Sequence, residues 1–215
     1  MSRLVIVGAG GFGREVYAWV MQTPEFVEQH DIKQIAFVDN NLKATEGYGE
    51  YPSVIGGVEE FQPGRDDVLL CAVGNPFIRQ KLVETLKARG GRFVTFVHRS
   101  AIIGLHNVLG EGSIVCPNSV LTVNITVGQF VILNVGSLLG HDVQIGDFVT
   151  LSPHCDLTGG VHVGSFCQFG TGVRVIPGIK IAEDVKVGAG SVVIRNVEAR
   201  TAVFGFPAKK IPRRS

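Results

Sequence analysis

From residue 103 an aliphatic side chain returns at every sixth position: Ile103, Leu109, Val115, Leu121, Val127, Leu133, Leu139, Ile145, Leu151, Leu157, Val163, then Val175, Ile181, Val187 and Val193. Phe169 fills the same series as its one aromatic. The next position is often glycine, as at Gly104, Gly110, Gly128, Gly140, Gly146, Gly164, Gly170 and Gly188. Four residues after the aliphatic a small or β-branched side chain recurs, as at Ser113, Ser119, Val131, Ser137, Val143, Cys155 and Cys167. An amphipathic helix needs a period of about 3.6, so an unbroken six excludes it. A six-residue repeat specifies a β-helix in which each hexad supplies one short strand and one corner. Three hexads close one triangular coil. Sixteen hexads give about five coils, a prism roughly 25 Å long at ~4.8 Å per coil. The aliphatic side chains fill its axis, and the glycines that follow them are expected to supply positive φ at the corners.

Composition sharpens this reading. The chain has 28 glycines in 215 residues, about twice the ordinary share of roughly 7%. They follow no collagen period, and interleaved aliphatics exclude a disordered linker. Lys plus Arg is 20 against 19 for Asp plus Glu, which argues against a nucleic-acid partner. No run of 18 apolar residues suggests a membrane span. Residues 101–194 carry only 3 basic and 6 acidic side chains, whereas 195–215 carry 6 basic and 1 acidic. A charge-poor prism exposes sheet faces that need a cover, so a homotrimer is expected. The composition shift near residue 100 divides the chain into domains 1–99 and 100–215. Cys71, Cys116, Cys155 and Cys167 show no metal-ligand spacing and read as buried, reduced thiols of a cytoplasmic protein. No metal is expected.

The first domain reads as α/β. Leu4–Val7 is a short apolar strand, Gly8, Gly10 and Gly13 follow as G-x-G-x-x-G, and 14–21 reads as a helix. In that context glycines let a phosphate approach the backbone amides at the helix start. Further strands are expected at 35–38, 68–73 and 93–97, with a helix at 77–89. The loops at Gly10, Gly11 and Phe12, at Asp39 and Asn40, and at Gly74 and Asn75 fall at strand C-terminal ends, where a parallel sheet binds ligands. About a hundred residues is half a dinucleotide fold, so a mononucleotide or nucleotide-linked sugar suits the size better than NAD.

GAGGFG in a Rossmann-like domain, uninterrupted hexads, and Gly205-Phe206-Pro207-Ala208-Lys209 near the end resemble the sialic acid O-acetyltransferase and bacterial nucleotide-aminosugar N-acetyltransferase family. The resemblance implies a left-handed parallel β-helix, acetyl-CoA as co-substrate, a trimer, and an active site between neighbouring subunits. It implies His141 as general base and Asp142 as its partner, one strand after Ile132-Leu133-Asn134. Gly159 would supply an oxyanion amide. Thr150, Gly159, Gly170, Thr171, Ala189, Gly190 and Lys209 would meet the cofactor. Family members usually have an acid where Gly140 stands and a histidine where Phe12 stands.

The residues themselves point the same way. Of six histidines only His141 is followed directly by an acid inside the repeat. One coil of 18 residues stacks it on Gly159, so an outward imidazole lies over a side-chain-free backbone. A neutral imidazole suits removal of a proton from an amine or hydroxyl attacking a thioester. Arg195, Arg200, Lys209, Lys210, Arg213 and Arg214 form a basic tail suited to CoA phosphates. The leading reading is an acetyl-CoA-dependent N-acetyltransferase acting directly on a nucleotide-linked amino sugar. The alternatives are a sialic acid-type O-acetyltransferase, an NAD-dependent enzyme and a non-catalytic scaffold.

Overall fold

The structure, a computed structural model, describes residues 2–212; Arg213 and Arg214 of the basic tail lie outside the described residues. The chain divides into two compact units, Met1–Arg99 and Ser100–Ser215.

The first unit is a parallel three-stranded sheet. Strands β1 (Ser2–Val7), β2 (Ile32–Val38) and β3 (Asp67–Cys71) run in the order β2-β1-β3. Leu4 to Val7 are fully buried, as a central strand covered on both faces must be. Arg3 locks β1 to β3 with two hydrogen bonds to Asp67, 3.0 and 2.8 Å. Helix α1 (Gly11–Met21) starts three residues earlier than the sequence suggested and buries Gly13, Val16 and Val20, one helical face. A second short helix, α2 (Pro24–Gln29), carries proline in its first turn. Helix α3 (Pro76–Lys87) is capped by Asn75, whose Oδ1 accepts from the amides of Phe77 and Ile78. The expected strand at 93–97 shrinks to Phe96–Val97 plus one bridge from Phe93 to Leu69. Phe96 spends its side chain on the core, edge-on to Phe26 at 5.0 Å.

The second unit is a left-handed parallel β-helix. Two-residue strands recur every six residues from Ile102–Ile103 to Val192–Val193, and each as far as Arg174–Val175 pairs with the strand 18 residues on. Three faces result. Face one holds Ile102–Ile103, Val120–Leu121, Leu138–Leu139, Asp156–Leu157, Arg174–Val175 and Val192–Val193. Face two runs from Val108–Leu109 to Lys180–Ile181, and face three from Ile114–Val115 to Lys186–Val187. Face three continues into Ala202–Phe204, which turns at Gly205 and pairs antiparallel with Lys209–Ile211. The GFPAK segment is thus the turn that ends the prism.

The sixth-position aliphatics from Val115 to Val193 are buried to 5% exposure or less. The small positions are buried too, with their polar atoms satisfied: Ser113 Oγ donates to Gly128 O and Cys155 Sγ to Gly170 O, one coil ahead.

The glycines that follow the aliphatics do not serve the purpose expected of them. None of those eight has positive φ. A Cβ at Gly104 would strike the Thr122 carbonyl, and one at Gly140 would lie 2.7 Å from the Gly159 nitrogen. These glycines admit the next coil. The left-handed backbone falls two residues later, where Asn118, Asn124, Phe130, Asp142, Phe148 and Phe166 adopt it as well as glycine. Phe130, Phe148 and Phe166 stack coil on coil, with centroids 5.2 and 5.5 Å apart.

Candidate active site

The corner between faces one and two positions His141. The turn there needs left-handed backbone at its second residue, and Asp142 adopts φ 61°, a conformation a short polar side chain tolerates. The turn brings the two adjacent side chains side by side: His141 Nδ1 and Asp142 Oδ2 are 2.8 Å apart. Asn124, one coil below, donates from Nδ2 to Asp142 Oδ1 at 3.4 Å. The hydrogen bond with His141 first, and that from Asn124 after it, hold the Asp142 carboxyl below the usual carboxylate range. An ionised carboxylate on Nδ1 fixes the tautomer with its proton there, leaving the Nε2 lone pair free. Both side chains are open to solvent, 65% and 58% exposed.

Gly159 lies one coil above. A Cβ there would collide with His141 Nε2, so only glycine lets the ring lie across this backbone. The Gly160 amide is already committed to the His141 carbonyl at 2.8 Å. Among the described residues the Gly159 amide has no acceptor. A Cβ at residue 140 would lie 2.7 Å from the Gly159 nitrogen, so the neighbouring coil crowds this position too.

Apart from Gly159, the expected cofactor residues lie elsewhere on the prism. Thr171, Ala189 and Gly190 stack on the corner between faces three and one; Gly170 and Thr150 adjoin them on face three. Lys209 is exposed in the terminal strand of that face. An open groove of about 500 Å³ runs along face three beside Ser152, Gln168, Gly170, Lys186 and Gly188. A second, of about 550 Å³, follows face two beside Gln144, His162 and Lys180. Within one chain, then, His141, Asp142 and Gly159 meet on one corner. The expected cofactor column stands on another, with face one between them.

In the first unit the three loops do meet. Asp39 Oδ2 accepts from the Ala9 amide at 2.8 Å, and the space beside Gly8 is closed by Ala72 and Val73. Gly8 and Gly13 are packed against backbone, Gly13 so tightly that a Cβ would strike the Gly8 carbonyl. Gly10, Gly11 and Gly74 instead face open space. The polar candidates are partly committed to holding the loops: Asp39 Oδ1 accepts from Asn41 N, Asn40 Oδ1 from Val58 N, and Asn75 caps α3. Phe12 packs edge-on to Trp19, centroids 6.0 Å apart. Sequence reading missed Arg79. It is 1% exposed, and its Nη1 donates to the carbonyls of Val73 and Gly74 at 2.6 and 3.1 Å. The signal was available: Arg79 shares the buried face of α3 with Val83 and Leu86.

The PglD N-terminal domain family matches residues 3–86. WeeI from Acinetobacter baumannii AYE is 31% identical, with a TM-score of 0.86 over 98% of this chain and 100% of that one. The chain belongs to the nucleotide-aminosugar N-acetyltransferase family. The acetyltransferase domain of PglB from Neisseria gonorrhoeae FA1090 superposes with a TM-score of 0.89 at 27% identity, over 98% of this chain and 100% of that one. That domain is also known in complex with acetyl coenzyme A. UDP-N-acetylbacillosamine N-acetyltransferase of Bacillus subtilis (strain 168) is 34% identical over 119 residues, 54% of this chain and 51% of the relative. The chain spans about half the length of the curated relatives it matches. The family's two-part organisation accounts for a glycine-loop unit and a β-helix in one chain.

Proposed function

We propose that the protein transfers an acetyl group from acetyl-CoA to the amino group of a nucleotide-linked amino sugar, with His141 as general base. The observation that carries this reading is the His141–Asp142 pair beside the bare Gly159 amide. His141 Nε2 takes the proton as the amine nitrogen attacks the thioester carbonyl carbon. The Gly159 N–H receives the oxygen as it becomes negative. The C–S bond then breaks, and the imidazolium returns its proton to the leaving thiolate. Asp142 stabilises the imidazolium while it exists. Direct transfer is favoured because burial pushes the Cys155 and Cys167 thiols up to about 11 and about 12, which leaves neither as a ready thiolate at neutral pH, and Cys116 is fully buried.

The first unit is assigned the nucleotide-sugar, with Gly10, Gly11, Phe12, Asp39, Asn40, Gly74 and Asn75 around it. The β-helix is assigned the acetyl donor along Thr150, Gly170, Thr171, Ala189, Gly190 and Lys209. Catalytic and cofactor columns on different corners favour a homotrimer, in which one protomer's His141 corner abuts its partner's cofactor corner. Face one, with Ile102, Val120, Leu138 and Val192 pointing outward, is the surface it would bury. Four free, buried cysteines suit a cytoplasmic location.

Thiol release from acetyl-CoA with UDP- and GDP-linked amino sugars tests the reading. His141→Ala is expected to lower kcat by roughly 10²–10⁴ without loss of acetyl-CoA binding. Unchanged turnover would overturn the mechanism. A product stable to mild alkali marks the amide; an alkali-labile one marks an ester and a hydroxyl acceptor.

A further inference from the structure

The segment that leaves Asp39 is an exposed strap, residues 40–50, joined to the glycine loop through Asp39 and Arg14, in which Leu42 is 60% and Tyr48 59% exposed. Two apolar side chains presented to water on a polar, turn-rich segment contribute little to the core. The strap is nonetheless firmly tied. Asp39 accepts from both Ala9 N and Asn41 N, and Asn41 Oδ1 accepts from Lys43 N.

Arg14 supplies the other tie. It stands in the first turn of α1, directly after the glycine loop. Its Nη1 reaches the carbonyls of Ala9 and Ala44 at 3.4 and 3.3 Å. The guanidinium carbon lies 3.7 Å from the centroid of the Tyr48 ring. One side chain therefore joins the glycine loop, the helix start and the strap. It braces one face of an aromatic ring whose remaining surface is open. Gly47 and Gly49 flank Tyr48 with φ of 82° and 89°, a backbone that sets the ring between two turns.

In a parallel α/β sheet, phosphates sit at the first glycine loop and the nucleoside extends past the end of the second strand. The strap begins at the end of β2. A preset aromatic ring there is a stacking surface for a heteroaromatic base, since stacking accepts any base through its π face. Arg14 adds a fixed positive charge beside the loop where a diphosphate would approach.

We propose that Tyr48, braced by Arg14, stacks on the base of the nucleotide-linked sugar. This rests on the reading that the first unit binds that substrate. Tyr48 is thereby a binding residue and Arg14 its positioning residue. The ring discriminates nucleotide-linked from free sugars, whichever base is attached.

Calorimetric titration of the full chain with UDP, GDP and acetyl-CoA decides it. Wild type is expected to bind at least one of the two nucleotides. Tyr48→Ala and Tyr48→Leu weaken that binding by about tenfold or more, Tyr48→Phe retains it, and acetyl-CoA affinity is unchanged in all three. In turnover, KM for the nucleotide-sugar rises in Tyr48→Leu while KM for acetyl-CoA and kcat stay near wild type. Tyr48→Leu keeps apolar bulk and Tyr48→Phe keeps the ring, so the pair separates stacking from folding. Nucleotide binding that is equal in wild type and Tyr48→Leu overturns the stacking role and leaves the substrate reading intact. A wild type that binds acetyl-CoA but neither nucleotide overturns both.

Discussion

His141 and Asp142 share one 2.8 Å hydrogen bond at an exposed corner, and its effects are measurable one residue at a time. The Asp142 carboxyl is depressed chiefly by His141. A depressed carboxylate keeps its interaction above the ordinary carboxylate range and loses it only as pH falls through the lowered folded value. NMR titration of the Asp142 side chain should therefore give a midpoint below about 3.9, moving up towards that value in His141→Ala. An unmoved midpoint would mean that the pair does not form in solution. The cysteines make an opposite prediction. Burial pushes Cys71 up to about 12, Cys155 to about 11 and Cys167 to about 12, and Cys116 is fully buried. All four should resist a disulfide reagent at pH 8 in the native protein and react together after denaturation. Labelling of any one in the native state would show that its coil opens.

Among elements, the coil is the unit that sorts the glycines. Glycine at 104 or 140 is required by the neighbouring coil, whereas glycine at 172 is required only by φ 71° in open space. Gly140→Ala should cost about 1–3 kcal/mol as an overpacked contact, and it should depress activity because the atom it displaces is the Gly159 amide. Gly172→Asn should lie within roughly 0.5 kcal/mol of wild type, since Asn118 and Asn124 hold the same conformation at φ 58°. Paired thermal melts check both. Equal losses would refute the distinction. Helix α3 carries the same lesson in the first unit. Its buried Arg79 reaches back to hold the carbonyls of the loop on which its own cap, Asn75, sits.

For the whole molecule, face one decides whether a single chain is sufficient. It separates the His141 corner from the corner proposed for the cofactor, and its outward Leu138 is 37% exposed between Val120 and Asp156. The Asp156 Oδ1 atom is buried there without a hydrogen-bond partner among the described residues, a state that costs free energy unless a partner meets it. If the proposed trimer forms through face one, Leu138→Glu should convert it to monomers by light scattering, abolish the proposed acetyl transfer and leave the circular dichroism unchanged. A monomeric wild type with full activity would refute a shared site.

The six-residue period was enough to announce the β-helix, because a repeat that short places the same side chain on the axis in every hexad and needs no distant information. The juxtaposition of His141 and Asp142 with Gly159 was legible for the same reason, since an 18-residue coil makes sequence spacing a spatial coordinate, whereas the roles proposed for them came from the family resemblance. Strand and helix positions in the first unit were legible to within a few residues, except for α2, which the sequence reading did not include, and at 93–97, where packing of Phe96 into the core overrode an extended pattern. Three things needed the tertiary structure. Which glycines serve the backbone and which serve the next coil depends on interatomic approach, and both look alike in a sequence. Arg14 with Tyr48, and Arg79 with Gly74, join residues through contacts that follow no period. The division of the expected site between two corners emerged only when the coils were closed. Periodicity fixes each residue's place within a coil, while contact between non-repeating segments is set by packing alone.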